Sequence, residues 1–241
     1  MCLIVFAWNV IPGLPLIAAG NRDEFYDRPA APAGWWEDHP QIYAGRDLRG
    51  GGTWLGVTRA GRFGALTNIR APGERREDAP SRGALVAAFL SGTDSAQEYA
   101  DRLRDTNDDF NGFNLLIGDG DNLIWYSNRD HGDERNGQPL APGIYGLSND
   151  KLDSPWPKVV RTKAQFASML CMGAPEEAYF EMLSDTTRAS DCRLPQTGVS
   201  LDMERLLSSV CIESAEYGTR VSTVVKLLAN QPAILHERPV R

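Results

Sequence analysis

A chain of 241 residues with 25 Lys+Arg against 32 Asp+Glu, a formal charge of −7, and 42% hydrophobic residues holds about 100 side chains for a core and needs no more than one domain, residues 1–241. An acidic balance without a Lys/Arg block excludes a nucleic-acid footprint, and 24% charged beside 9% aromatic residues excludes disorder. The four cysteines, at 2, 171, 192 and 211, have neither the CxxC spacing of a zinc site nor the density of a disulfide scaffold, so a reducing, cytoplasmic location is expected.

The stretch from Met1 to Gly20 is uncharged and apolar, but it lacks a basic leader, and Asn9, Pro12, Gly13 and Pro15 interrupt it. A secretory signal is therefore not expected. No run approaches the roughly 20 apolar residues of a spanning helix, so stable membrane insertion is not expected either.

Leu3 to Trp8 and the run from Leu14 read as two buried strands joined by a turn at Pro12-Gly13. Arg28 to Pro40 is polar and broken by prolines, and the β pattern resumes around Ile42, Thr53 to Thr58 and Arg62 to Ile69. Arg70 to Gly83 mixes charges with two prolines and reads as an exposed loop. Arg75 and Arg76 suggest a basic patch only weakly, because Glu74, Glu77 and Asp78 adjoin them. A helix is predicted around Ser81 to Leu90, and a second over Thr93 to Leu103 behind the capping residues Thr-Asp-Ser.

Phe113 to Ile117 and Leu123 to Tyr126 flank Gly-Asp-Gly-Asp-Asn, the turn chemistry of a hairpin. A strand at Ile144 to Ser148 precedes a helix opened by Pro155 and Pro157 and running to about Cys171. Helical patterns follow at Pro175 to Leu183 and Leu201 to Ser209, and strands close the chain at Thr219 to Leu228 and Ala233 to His236. Strands, then helices, then strands describe an α+β layered domain with strands from both ends in its sheets.

Cys2 is the most unusual placement for chemistry. If Met1 is removed, Cys2 carries a thiol and a free α-amine, and an amine with a pKa near 8 can act as base for its own side chain. The bland alternative is a small apolar residue leading into a buried strand. The hairpin returns the tetrad Asn21-Arg22-Asp23-Glu24 to the neighbourhood of Cys2, where an Arg favours a thiolate and an Asp can hold an amine. Trp35-Trp36 could line a ligand mouth or simply pack in a core or rim, and Gly50-Gly51-Gly52 permits close packing ahead of Trp54. His39, His131 and His236 are scattered and have no metal-ligand spacing.

The opening MCLIVFAWN, NRDE at 21 to 24, GGTWLGVTRAGRFGALTN at 51 to 68, GLSND with SPWPKV from Gly146 to Val159, and YGTRVSTVV at 217 to 225 resemble the NRDE family, also called the transport and Golgi organisation protein 2 family. The resemblance spans nearly the whole chain. That family is similar, more distantly, to N-terminal nucleophile cysteine amidohydrolases such as penicillin V acylase and bile salt hydrolase. It implies a four-layer αββα sandwich of that type, with Cys2 as nucleophile, Arg22 and Asp23 beside it, Asn68 and Asn149 as oxyanion or amine partners, and Arg220 as a late arginine.

Here Arg22 and Asp23 are adjacent, so without a bulge only one can face Cys2, and Asn21 is the alternative. The implied functions are a hydrolase of an amide or thioester with an apolar acyl group, requiring no cofactor, or a non-catalytic carrier of haem, acyl-coenzyme A or lipid. The expected partner is accordingly a small apolar or amphipathic ligand, with Asn21, Trp35, Trp36, His39 and Trp54 as candidate contacts. Cys2 or His39 would supply an axial ligand to haem iron.

Overall fold

The computed structural model describes residues 2–74, 76–105, 109–130 and 132–240. Met1, on whose removal the expected N-terminal nucleophile would depend, lies outside them, as do Arg75 and His131. Two antiparallel sheets dominate. The first contains β1 (Cys2–Ile11), β2 (Leu14–Phe25), β9 (Gly143–Leu147), β10 (Tyr217–Leu227) and β11 (Ile234–Pro239), in the order β11-β10-β2-β1-β9. The second contains β3 (Ala30–Trp35), β4 (Ile42–Asp47), β5 (Leu55–Thr58), β6 (Phe63–Asn68), β7 (Phe113–Gly118) and β8 (Leu123–Ser127), in sequence order. Helices α1 (Gly83–Ser91) and α2 (Ala96–Leu103) are followed after β9 by α3 (Pro157–Met172), α4 (Glu176–Leu183) and α5 (Leu201–Leu206).

Alternation along the strands builds the layers. Ile4, Phe6 and Trp8 of β1 meet Leu55, Phe63, Leu116 and Trp125 between the sheets. Leu3, Val5 and Ala7 point the other way, onto Val159 and Phe166 of α3 and Tyr179 and Phe180 of α4. On the far face of the six-stranded sheet, Ile42, Leu115 and Ile117 pack against Val86 and Phe89 of α1 and Tyr99 of α2. The result is the expected αββα sandwich, with strands from both ends of the chain in one sheet.

Local chemistry accounts for most boundaries. Gly13 takes φ +78° in the first turn. Ser95 caps α2 through a reciprocal capping box with Glu98, and Pro157 sits in the first turn of α3, which Gly173 ends at φ +61°. Gly52 lies so close to Gly83 at the start of α1 that a Cβ there would sit 2.3 Å from the Gly83 carbonyl carbon, so the glycine run packs against a helix as well as leading into a strand. The stretch read as strandless, Arg28 to Pro40, contains β3. Pro32 is tolerated because β3 is an edge strand whose register slips between Ala31 and Gly34, and the Ala33 N–H donates instead to Glu237 Oε1 at 2.9 Å.

Candidate functional site

The hairpin register determines the site. β1 pairs with β2 so that Cys2 stands opposite Arg22 and Leu3 opposite Asn21. Directly opposed residues share a face, so Cys2 and Arg22 both look into the space between the sheets, where Trp54 belongs to the same buried cluster as Cys2. Arg22 reaches across to the end of β4, its Nη2 donating to Asp47 Oδ2 at 3.1 Å. Asp47 also accepts from Arg28 Nε at 2.6 Å and from the Gly50 N–H at 2.7 Å. Against the upward push of burial, these donors and Arg22 hold the Asp47 carboxyl below the usual carboxylate range. Arg22 Nη1 is buried and makes no hydrogen bond.

Asp23 approaches Cys2 in a different way, its backbone N–H donating to the thiol. Its side chain is buried, and Oδ1 accepts from the Thr219 hydroxyl at 2.7 Å. A bulge does intervene, but in the partner strand: Thr219 pairs with Asp23 and Val221 with Arg22, which leaves Arg220 as the extra residue. Arg220 therefore sits on the bulge, its Nη1 donating to the carbonyls of Phe25 at 2.9 Å and Arg28 at 3.0 Å, and so ties down the turn between β2 and β3.

Asn21 faces the helices. It is fully buried, its Nδ2 donates to the carbonyls of Leu183 at 2.8 Å and Val210 at 3.0 Å, and its Oδ1 accepts from Ser222 Oγ at 2.7 Å.

Asn68 and Asn149 end β6 and follow β9, and they meet where the two sheets come together. Asn149 Nδ2 donates to the Asn68 carbonyl at 2.8 Å. Ser148 links them to β1, its hydroxyl donating to the Cys2 carbonyl at 3.0 Å. The aromatic candidates divide. Trp54 belongs to the inter-sheet cluster that includes Cys2, whereas Trp36 packs in the outer cluster with α1 and α2, its Nε1 bound to the Ala44 carbonyl, and half-buried His39 lies 6.4 Å from its ring. Trp35 is exposed beneath the Arg59 guanidinium, 3.8 Å away.

Two cations missed in the sequence, Lys158 and Arg70, act on Asp23, and a third overlooked charge, Glu204, pairs with Arg70. Lys158, in the first turn of α3, is 2% exposed and its Nζ makes no hydrogen bond. Arg70, just after β6, lies over Trp156 at 4.6 Å and donates from Nη1 to Glu204 Oε2 at 2.8 Å. Glu204 Oε1 accepts from the N–H and hydroxyl of Thr197. One signal did exist for Lys158, since Lys158, Thr162 and Phe166 recur at the i, i+4, i+8 spacing of a buried helix face.

Burial pushes the Cys2 thiol up, the Asp23 charge adds to this, and Arg22 and the Asp23 N–H oppose it. Burial likewise raises Asp23, against Lys158, the Thr219 hydroxyl and Arg70. It lowers Lys158 to about 8, with Asp23 and Cys2 opposing the fall.

A cleft of about 270 Å³, small for a ligand pocket, is lined by Tyr26, Ile212, Glu213, Thr219 and Val240, so Thr219 connects it to Asp23. Among the described residues no group of three or more His, Cys, Asp or Glu could hold a metal ion, and no helix is long and apolar enough to cross a membrane.

A family model described as Transport and Golgi organisation 2 matches residues 1–241. The chain is similar to the Transport and Golgi organization 2 homolog of Mus musculus, with 33% identity over 263 residues, covering 99% of this chain and 92% of the mouse protein. It is similar to the Bos taurus homolog at 35% identity over 259 residues, with the same two coverages. Among solved structures it is similar to a Caenorhabditis elegans ortholog of N-acylethanolamine-hydrolyzing acid amidase, at 14% identity and a TM-score of 0.49 over 92% of each chain. A mutant conjugated bile acid hydrolase from Clostridium perfringens aligns at 8% identity and a TM-score of 0.44, over 100% of this chain and 92% of that one.

Proposed function

The chain belongs to the Transport and Golgi organisation 2 family, and we propose that it is a cysteine hydrolase opening an amide or thioester that bears an apolar acyl group, with Cys2 as nucleophile. One observation carries this reading: the hairpin register puts the Cys2 thiol opposite the Arg22 guanidinium, with the Asp23 N–H on the sulfur, at the rim of an apolar inter-sheet layer.

In the first step the thiolate attacks the acyl carbonyl, a C–S bond forms, and the amine or thiol departs with the proton that left Cys2. Water then hydrolyses the resulting thioester and restores the thiol. The Asn68 and Asn149 segments, joined to Cys2 through Ser148, are the source of donors for the developing oxyanion, each such donor being worth about 3 kcal/mol. With whatever precedes Cys2 removed, its α-amine takes the thiol proton. Arg22, already buried with Nη1 unused, favours the charged sulfur. The acyl chain contacts Trp54 and the apolar residues around it.

The carrier reading, in which an acyl compound or haem is held without turnover, is favoured by a different observation, the burial of the Cys2 side chain within the inter-sheet cluster, where it is 7% exposed. One experiment separates the two. Intact mass of the natively expressed protein reports whether Cys2 is the first residue. The same protein is then incubated with octanoyl-coenzyme A and an octanoyl anilide.

The hydrolase reading expects an octanoyl adduct on Cys2 and released octanoate, both absent from Cys2→Ala. Binding of the intact acyl compound, equal in Cys2→Ala and without adduct or product, refutes the hydrolase and supports a carrier. A saturable Soret shift on haem titration that changes with Cys2→Ala identifies haem as its cargo.

A further inference from the structure

We propose that Lys158 and Arg70, at the N-terminal end of α3, form a binding site for an oxyanion, the carboxylate or phosphate group of a ligand. The site lies on the helix face of the first sheet, away from the inter-sheet face that Cys2 and Arg22 share, and it does not depend on the hydrolase reading.

Two buried cations meet where α3 begins. Trp156 is the N-cap residue of α3, and the Arg70 guanidinium lies over its ring, 4.6 Å from the centroid. Lys158 follows two residues on. A helical side chain tilts towards the N-terminus of its helix, so the Lys158 ammonium is directed at the same end of α3. Trp156 and Val159 pack with Leu3 and Val5, which seats this end of the helix on the sheet. The Arg70 side chain is 4% exposed and Lys158 is 2% exposed.

Among the described residues, Lys158 Nζ and Arg70 Nε and Nη2 are buried and make no hydrogen bond. Glu204 takes only Nη1 of Arg70, and its other oxygen is held by Thr197. Nε and Nη2 form the side edge of the guanidinium, whose two parallel N–H bonds fit two oxygens of one carboxylate or phosphate. The positive end of the α3 dipole adds to the two cations, and Trp156 supplies no side-chain cap. Burying such donors without acceptors is costly, and an oxyanion at the helix end provides the acceptors and the compensating charge. Asp23 is the other acid that acts on both cations; its Oδ1 is held by Thr219, and its charge opposes an incoming anion.

Calorimetric titration of the full chain with inorganic phosphate, and separately with acetate, at one ionic strength held with chloride, reads the site without turnover. Wild type should bind at least one of them saturably, one per chain, and the preferred probe tells whether a phosphate or a carboxylate is the group the site takes. Lys158→Met removes the ammonium, and Arg70→Lys keeps a charge for Glu204 but loses the side edge. Each should weaken binding about tenfold or more. Arg238→Ala, which removes an exposed cation from β11, should leave it unchanged.

Should one of the two site variants fail to fold, as judged by far-UV circular dichroism, the other decides. Wild type that gives no saturable heat with either probe overturns the proposal whatever the variants do. Binding that survives both substitutions, or that falls as far in Arg238→Ala, overturns it as well. Acylation of Cys2 is measured separately, so the failure of either proposal leaves the other standing.

Discussion

Asn21 opens the NRDE tetrad, and its contacts make it a fastener between layers, which a substitution can measure. Asn21→Ala removes a fully buried amide that holds the Leu183 carbonyl at the end of α4, the Val210 carbonyl and the Ser222 hydroxyl. Two carbonyls and a hydroxyl are then left buried without this partner. Leaving a buried polar group unsatisfied costs roughly 1–3 kcal/mol, and Ser222 recovers part by rotating, so the expected loss is about 4 kcal/mol.

For a chain of this size that corresponds to a fall in Tm of roughly 10 °C. Urea unfolding monitored by tryptophan fluorescence gives the value directly, with an unchanged m-value showing that the cooperative unit is intact. Asn21→Asp keeps the acceptor for Ser222 but sets a carboxylate against two carbonyl oxygens, so it should lose at least as much. The reasoning is refuted if Asn21→Ala stays within about 1 kcal/mol of wild type. It is equally refuted if the variant keeps full stability while Cys2 alkylation changes, because Asn21 would then act on the Cys2 thiol.

The buried Arg70–Glu204 pair supplies a second expectation. Glu204→Gln leaves a buried guanidinium without its counter-charge and should cost about 3–5 kcal/mol in urea unfolding, and Arg70→Met added to it should recover much of that loss. A single variant as stable as wild type would remove the pair from the account of how α5 is held. Lys158 makes the alkaline limb informative. Its folded value near 8 lies below the ordinary 10.5, so the unfolded chain binds the extra proton between these values and stability rises with pH across that window. The full displacement is worth about 3 kcal/mol. From pH 7.5 to 10.5 the unfolding free energy of wild type should rise relative to that of Lys158→Met, the buried thiols and tyrosines acting alike in both; parallel curves would refute the burial of an unpaired Lys158.

Much of the site could be read along the chain, because it depends on a short-range count. With the turn at Pro12-Gly13, a strand of this length returns Arg22 to Cys2, and an antiparallel ladder places opposed residues on one face. The capped start of α2 and the proline-led start of α3 were legible for the same reason, being set by residues within one turn of each other.

Tertiary structure decided the rest. Strand β3 exists because an edge tolerates Pro32, a fact about neighbours that the residue does not carry. The role of Asn21 is set by carbonyls 162 and 189 positions away. The placement of Asp23 depends on a bulge in β10, and Thr219 reaches it across 196 positions. Arg70 and Glu204 look like ordinary surface charges in sequence, and only the tertiary pairing of α5 with the segment after β6 takes them out of water. Hydrophobic periodicity tells which face of an element is buried; which charges meet there is settled when the layers close, because desolvation then penalises any charge left without compensation.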